Sequence, residues 1–287
     1  MRVGSRAANK PAMKNALSID LEDWFCVHNL AQAIKRDDWD KCDLRVRNNT
    51  MRILNLLDQR NVRATFFILG WVADRAPDLI REVEARGHEI GVHGYNHLLL
   101  TEITPEEFDE DLGKALDAIA KAGVKSTPLG FRAPSFSMVN STKDWALPTL
   151  EKYGLRYDSS VFPVGFHPDY GIADAPLVPY KITDKLYEFP MSVLELYGRR
   201  FPFCGGGYFR LFPYSYTRFC MRKVNQQGRS VVFYLHPWEL DPEQPRVKNL
   251  SATQKFRHYR NLDQTERRLS RLLDDFEFTT LREVLQL

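Results

Sequence analysis

The stretch Gly87-His88-Glu89-Ile90-Gly91-Val92-His93-Gly94-Tyr95-Asn96-His97 combines two signals. A glycine in the place of a left-handed helix cap is followed by a short apolar run, the pattern of a helix handing over to a buried strand that delivers His93. Beyond the strand, His93 and His97 lie four residues apart, about one helical turn, so both rings can close on one cation. Neutral imidazole suits zinc and similar ions, and a carboxylate from elsewhere would complete three protein ligands with a position left for water. An H-x3-H spacing alone is about as often two surface histidines, so the rest of the chain decides.

Outward from this stretch, helix and strand signals take turns. Upstream, Arg45 to Arg60 has helical apolar spacing, Ala64 to Gly70 reads as a buried strand, and a second helix runs from about Trp71 to Arg86. Nearer the start, Ala16-Leu17-Ser18-Ile19-Asp20 is an apolar run ending in acid, with Glu22 and Asp23 close behind. Downstream, Thr104-Pro105-Glu106-Glu107 opens a helix that Gly123 stops. Leu129 to Pro134 is a brief strand ending in Arg132, and a helix around Lys143 to Tyr153 precedes a short strand before Asp158. From Val161 to about Phe212 the pattern gives way to prolines, glycines and aromatics. It returns with a helix near Tyr214 to Gln227, a strand Ser230 to Leu235 ending at His236, a helix Leu262 to Asp274, and a run from Phe276 to Thr279.

Strands separated by helices imply parallel pairing with right-handed crossovers, and about seven such units predict a single-domain α/β fold, a distorted (β/α) barrel. We expect a flexible leader over 1–15, the barrel over 16–287, and substrate loops at about 161–212. Asp20, His93, Arg132, Asp158 and His236 each close a predicted strand, at the rim where such barrels do chemistry. The chain has 287 residues, 44% of them hydrophobic, and 40 Lys and Arg against 37 Asp and Glu. The scattered charge, +3 in sum, offers no nucleic-acid footprint. No run reaches the roughly 18 apolar residues of a membrane span. Met1 to Asn15 lacks the apolar core of a secretory signal, and Cys26, Cys42, Cys204 and Cys220 lie far apart, so reduced thiols in the cytoplasm are expected.

In this order the motifs resemble the polysaccharide deacetylases of carbohydrate esterase family four, which include chitin and peptidoglycan deacetylases. The resemblance spans about Leu17 to Glu239 and rests on Ser18-Ile19-Asp20-Leu21-Glu22-Asp23, His93-Gly94-Tyr95-Asn96-His97, Phe131-Arg132-Ala133-Pro134, the Asp158 segment and Leu235-His236-Pro237. The Asp-x-Glu-Asp-Trp form of the first motif, Gly205 to Arg210 and His236-Pro237-Trp238-Glu239 look most like the branch encoded near bacterial exopolysaccharide and exosortase loci.

The resemblance implies a metal-dependent hydrolase that removes N-acetyl groups from sugars in a polysaccharide, oligosaccharide or lipid-linked precursor, using one divalent ion, zinc by its donors. It implies His93, His97 and a first-motif carboxylate as ligands, Asp20 as general base and His236 as general acid. Arg132 would orient Asp20, Asp158 would orient His236, and the backbone N–H of Ser135 would face the oxyanion. The usual adjacent aspartates are absent, since Leu21 follows Asp20. The metal carboxylate is therefore Glu22 or Asp23, with Glu22 favoured because alternate residues of a strand end face one way. Tyr208, Arg210 and His167 are expected to meet substrate, although such loop residues more often pack on one another. Another linear amide as substrate, or an inactive carbohydrate-binding relative, are the alternatives.

Overall fold

The computed structural model describes residues 13–165 and 170–287. Most of the expected leader, residues 1–12, lies outside the described residues. The first strand, β1 (Asn15–Leu21), takes in Asn15 at the leader's end.

The alternation read from the sequence is present: α1 (Val46–Asp58), β2 (Thr65–Ile68), α2 (Gly70–Arg75), α3 (Pro77–Ala85), β3 (Glu89–Val92), α4 (Pro105–Lys121), β4 (Gly130–Phe131), α5 (Lys143–Lys152) and β5 (Tyr157–Asp158) follow in turn. Then come β6 (Tyr180–Lys181), β7 (Tyr187–Glu188), the hairpin β8 (Val193–Leu196) and β9 (Arg199–Pro202), α6 (Gly206–Leu211) and α7 (Tyr214–Gln226). The chain closes with β10 (Val232–Leu235), α8 (Ala252–Tyr259), α9 (Leu262–Asp275), β11 (Phe278–Thr279) and α10 (Leu281–Leu285).

The main sheet runs β10-β1-β2-β3-β4-β5-β7-β6, with β11 beside the start of β1. Its pairings from β10 through β7 are parallel, and only β6 runs against its neighbour. This is the expected distorted barrel, a curled half-barrel rather than a closed one. Between β7 and β10 a looser seam replaces a ladder: the Val232 amide donates to Ser192 Oγ at 2.9 Å and Arg229 Nη2 to the Val193 carbonyl at 3.3 Å.

Local chemistry accounts for particular boundaries. Thr104 and Glu107 form a reciprocal capping box at the start of α4, and Phe108, Leu112, Ala115 and Ile119 bury one face of that helix. The single helix expected over Trp71 to Arg86 is two, because Pro77 disfavours helical geometry at Ala76, which sits at φ −134° and ψ 53°.

Inside the sheet, glycine opposes ring. Phe67 pairs with Gly91 and Tyr157 with Gly130. A Cβ at Gly91 would lie 2.6 Å from the Phe67 ring, and one at Gly130 2.1 Å from that of Tyr157. The Tyr157 hydroxyl donates to Glu89 Oε1 at 2.8 Å, which fixes the ring that fills the space.

Gly130→Ala should therefore overpack this layer and lower stability by about 1–3 kcal/mol. Urea unfolding should show a lower midpoint at unchanged slope; an unchanged midpoint would mean that the ring yields freely.

Candidate active site

Strand register brings the polar strand ends onto one rim. The His93 amide donates to the Ile68 carbonyl at 2.9 Å and the Arg132 amide to that of Val92 at 2.9 Å, so each step around the sheet lifts the next functional residue to the same level.

Arg132 is fully buried and anchors the group. Its Nη1 donates to Asp20 Oδ1 at 2.8 Å and to Ser18 Oγ at 2.6 Å, its Nε to the Ser159 carbonyl at 2.9 Å, and its Nη2 to Ser159 Oγ at 3.0 Å. The guanidinium also lies 4.3 Å from the centre of the Phe67 ring. These contacts pin Asp20 through one oxygen and leave Oδ2 directed at the rim.

Beside it, Glu22, His93 and His97 present one ligand atom each, all within 4.8 Å of one another. Nδ1 of His93 lies 2.8 Å from the Arg132 carbonyl, which fixes the proton there and leaves Nε2 as the free lone pair. Burial, then the neighbouring His97, push the His93 pKa down to about 3, so the ring is neutral as a ligand must be. Burial opposes ionisation of Glu22, but His97, His236 and His93 outweigh it and hold the carboxyl below its ordinary range. Glu22 Oε2 is buried without a hydrogen-bond donor and faces His97 Nε2 at 3.0 Å. Two lone-pair atoms that close need a proton or a cation between them. The donor set, two imidazoles and a carboxylate, fits zinc or a similar divalent ion.

The loop carrying the histidines is held from behind. Asp111 on α4 accepts from the Tyr95 amide at 2.7 Å and the Asn96 amide at 3.0 Å. Gly94, at φ 69°, admits that carboxylate, since a Cβ would lie 2.9 Å from it.

Of the two candidate carboxylates, only Glu22 joins the histidines. Asp23 Oδ1 accepts from the Trp24 amide at 2.8 Å, and its Oδ2 accepts from the amides of Arg45 at 2.7 Å and Val46 at 2.8 Å, where α1 begins. Its carboxylate is committed to fixing that helix start.

His236 joins the same group, with Nε2 3.8 Å from Asp20 Oδ2 and 3.6 Å from Glu22 Oε1. Asp158 is not its partner. Asp158 takes the Ser160 hydroxyl instead and lies beside Glu188. The partner is Glu239, whose Oε2 accepts from the His236 amide at 3.0 Å and meets Nδ1 at 3.1 Å. Arg210 Nε donates to Glu239 Oε1 at 2.8 Å, while its Nη1 reaches the carbonyls of His258 and Arg260. Arg210 is thus buried behind Glu239 and away from the rim surface, where a substrate contact had been expected. Burial works against the Glu239 charge, but Arg210 and His236 bring its pKa down to about 2; burial likewise opposes protonation of His236, and Glu239, Glu22 and Asp20 raise it to about 9.

Gly206 makes room for this pair and Gly205 for the ring beside it. A Cβ at Gly206 would fall 1.6 Å from Glu239 Oε2, and one at Gly205 2.1 Å from the Tyr234 ring. Their closeness admits the protein's own side chains. Ser135, at φ 52°, sits in a tight turn after Pro134, and among the described residues nothing accepts from its amide. The Tyr208 hydroxyl is 3.2 Å from that of Tyr170. His167 lies outside the described residues.

A profile of the polysaccharide deacetylase family matches residues 37–157, and one described as "Domain of unknown function (DUF3473)" matches 159–286. The chain is similar to a peptidoglycan-N-acetylglucosamine deacetylase of Bacillus cereus, 33% identical over 34% of this chain and 35% of that one. It is also similar to a chitooligosaccharide deacetylase of Bradyrhizobium, 36% identical over 30% of this chain and 39% of the other. The matches thus span little more than a third of these relatives. In fold it is similar to a provisionally named polysaccharide deacetylase of Mycobacterium smegmatis, with a TM-score of 0.58 at 21% identity over 97% of this chain and 92% of that one. The family match is thus confined to residues 37–157, and the solved structure shows a likeness of fold.

Glu22→Ala, His93→Ala and His97→Ala should each fail to hold zinc in equilibrium dialysis. Asp23→Ala should keep it but lose about 1–3 kcal/mol of stability from stranded amides. Zinc lost in Asp23→Ala and kept in Glu22→Ala would reverse the assignment.

Proposed function

We propose that this chain is a metal-dependent hydrolase that removes N-acetyl groups from N-acetylated sugars. What supports the reading most is one juxtaposition: a His, His, Glu donor group beside a carboxylate tied to arginine and an imidazole tied to carboxylate. An inactive carbohydrate binder has no need of all three.

Glu22, His93 and His97 would hold the ion, which when bound would polarise the amide carbonyl and acidify its water. Asp20, with Oδ1 held by Arg132, takes the water's proton on Oδ2. The Ser135 amide donates to the oxygen that gains charge. His236 gives the proton on Nε2 to the departing nitrogen, and Glu239 keeps the ring turned toward it through Nδ1. Water and amide become acetate and a free amine.

The substrate class comes from the relatives, which are named for peptidoglycan and chitin oligosaccharides. The exopolysaccharide branch, with a polymer or lipid-linked precursor as substrate, is supported by the motif variants of the sequence. The 161–212 segment would supply sugar contacts, Tyr208 beside Tyr170 among them. No helix among the described residues is long and apolar enough to cross a membrane. A cytoplasmic site of action is supported by four cysteines that lie unpaired.

Incubation with N-acetylated chitooligosaccharides should release acetate and expose amines, a chelator should stop it, and zinc should restore it. Release of formate from formamido sugars without acetate from these would move the activity to another amide. Asp20→Asn should bind zinc normally while kcat falls by roughly two to four orders of magnitude. Glu239→Gln should lower kcat and move the alkaline limb of the pH profile to lower pH, because His236 loses the charge that keeps it protonated. An unmoved limb would remove Glu239 from this role. Gly206→Ala, which displaces the same carboxylate, should mimic Glu239→Gln in kcat with zinc retained.

A further inference from the structure

The chemistry assigned to the rim uses the first and last residues of His236-Pro237-Trp238-Glu239 and leaves the tryptophan between them without a role. Sheet register decides where that tryptophan lies. β1 and β10 pair in parallel with Ile19 opposite Leu235, and the same offset of 216 residues, carried past both strand ends, sets Asp20 against His236 and Glu22 against Trp238. The tight 3₁₀ turn Pro237–Leu240 follows β10 after one residue and keeps the chain close to the sheet. Trp238 is buried there, although its ring is among the largest side chains at the rim.

The indole Nε1 donates to Glu22 Oε1 at 3.4 Å, a long hydrogen bond but one to a charged acceptor. This contact distinguishes the two oxygens of Glu22. Oε1 has the indole N–H, with His236 Nε2 3.6 Å away, whereas Oε2 has no donor and faces His97 Nε2 at 3.0 Å. Two imidazoles stack on the indole and fix its plane, His236 with ring centres 5.4 Å apart and His258 with ring centres 4.6 Å apart. Gln244 locks the arrangement from behind: its Nε2 donates to the Trp238 carbonyl at 2.9 Å, and its Oε1 meets His258 Nε2 at 2.8 Å.

We propose that Trp238 is a positioning residue for the metal carboxylate: its indole N–H holds Glu22 Oε1 and so presents Oε2 to the ion that Glu22, His93 and His97 would share. The proposal rests on the metal site of the hydrolase reading. Glutamate has one more rotatable bond than aspartate, and a ligand that must give up that freedom on meeting the ion binds it more weakly. A carboxylate held in advance avoids this loss, and partners outside the ligand set typically change metal affinity or activity by about 10- to 100-fold. Asp23 cannot take over, because three backbone amides already hold its oxygens.

Zinc affinity of the full-length protein, measured by competition with a chelator, tests this. Replacing Trp238 by benzothienylalanine keeps the two-ring shape and puts sulfur in place of the N–H. Zinc should then bind about 10- to 100-fold more weakly, while the thermal midpoint of the metal-free protein stays where it was. Trp238→Phe should weaken zinc at least as much; if it does not fold, the isosteric replacement still decides. Glu22→Asp draws the carboxylate back from the indole, so in that background the same replacement should cost less than about a further twofold. Zinc affinity of the benzothienylalanine protein within about twofold of wild type, or an equal loss in the Glu22→Asp background, would overturn the proposal. A wild-type protein that holds no zinc would overturn it together with the metal site. Zinc binding that depends on the indole N–H, without acetate release from chitooligosaccharides, would support the proposal and count against the deacetylase reading alone.

Discussion

A buried arginine organises this molecule. Arg132 gathers Ser18 and Asp20 from β1, Ser159 from beyond β5 and the ring of Phe67 from β2, and its carbonyl sets the tautomer of His93 beyond β3. An ion so deeply buried survives only if almost every donor is answered, and removing one member leaves an uncompensated charge. The same contacts that make the arginine tolerable hold Asp20 and the His93 ring at fixed separation. Fold and site therefore share one network, and the rim cannot loosen without exposing the guanidinium.

A second buried pair, Arg210 with Glu239, does for His236 what Arg132 does for Asp20. The two halves come from different parts of the chain: the sheet supplies the first, and the region from α6 to α8 supplies the second. Trp238 lies between the rings of His236 and His258, stacked on both, and extends this backing away from the rim.

The sheet was legible in the sequence where strands are long and apolar or helices are capped, as at Thr104-Pro105 and Gly123. Polar residues closing apolar runs located Asp20, His93, Arg132 and His236. The break between α2 and α3 follows from Pro77, a residue plain in the sequence, through the backbone it imposes on Ala76. Strands of two residues, such as β6 and β7, carry no periodicity; β7 joins the sheet only because β5 offers a free edge. Glu22 could be preferred over Asp23 by alternation, but what commits Asp23 elsewhere is the position of α1's first amides, a tertiary fact. Asp158 was assigned by resemblance, and its strand parity sends it outward instead. Glu239 had a usable signal, a carboxylate three residues after His236 in a proline-led turn, whereas its dependence on Gly206 had none.

The central claim is that Glu22, His93 and His97 together hold a divalent ion at the rim. Anomalous diffraction at the zinc edge from crystals of the zinc-loaded protein tests it most directly. The account predicts one strong peak about 2.0–2.2 Å from Glu22 and from Nε2 of both histidines. A peak ligated by Asp23 or by the Asp158 and Glu188 pair, or no peak at the rim, would contradict it.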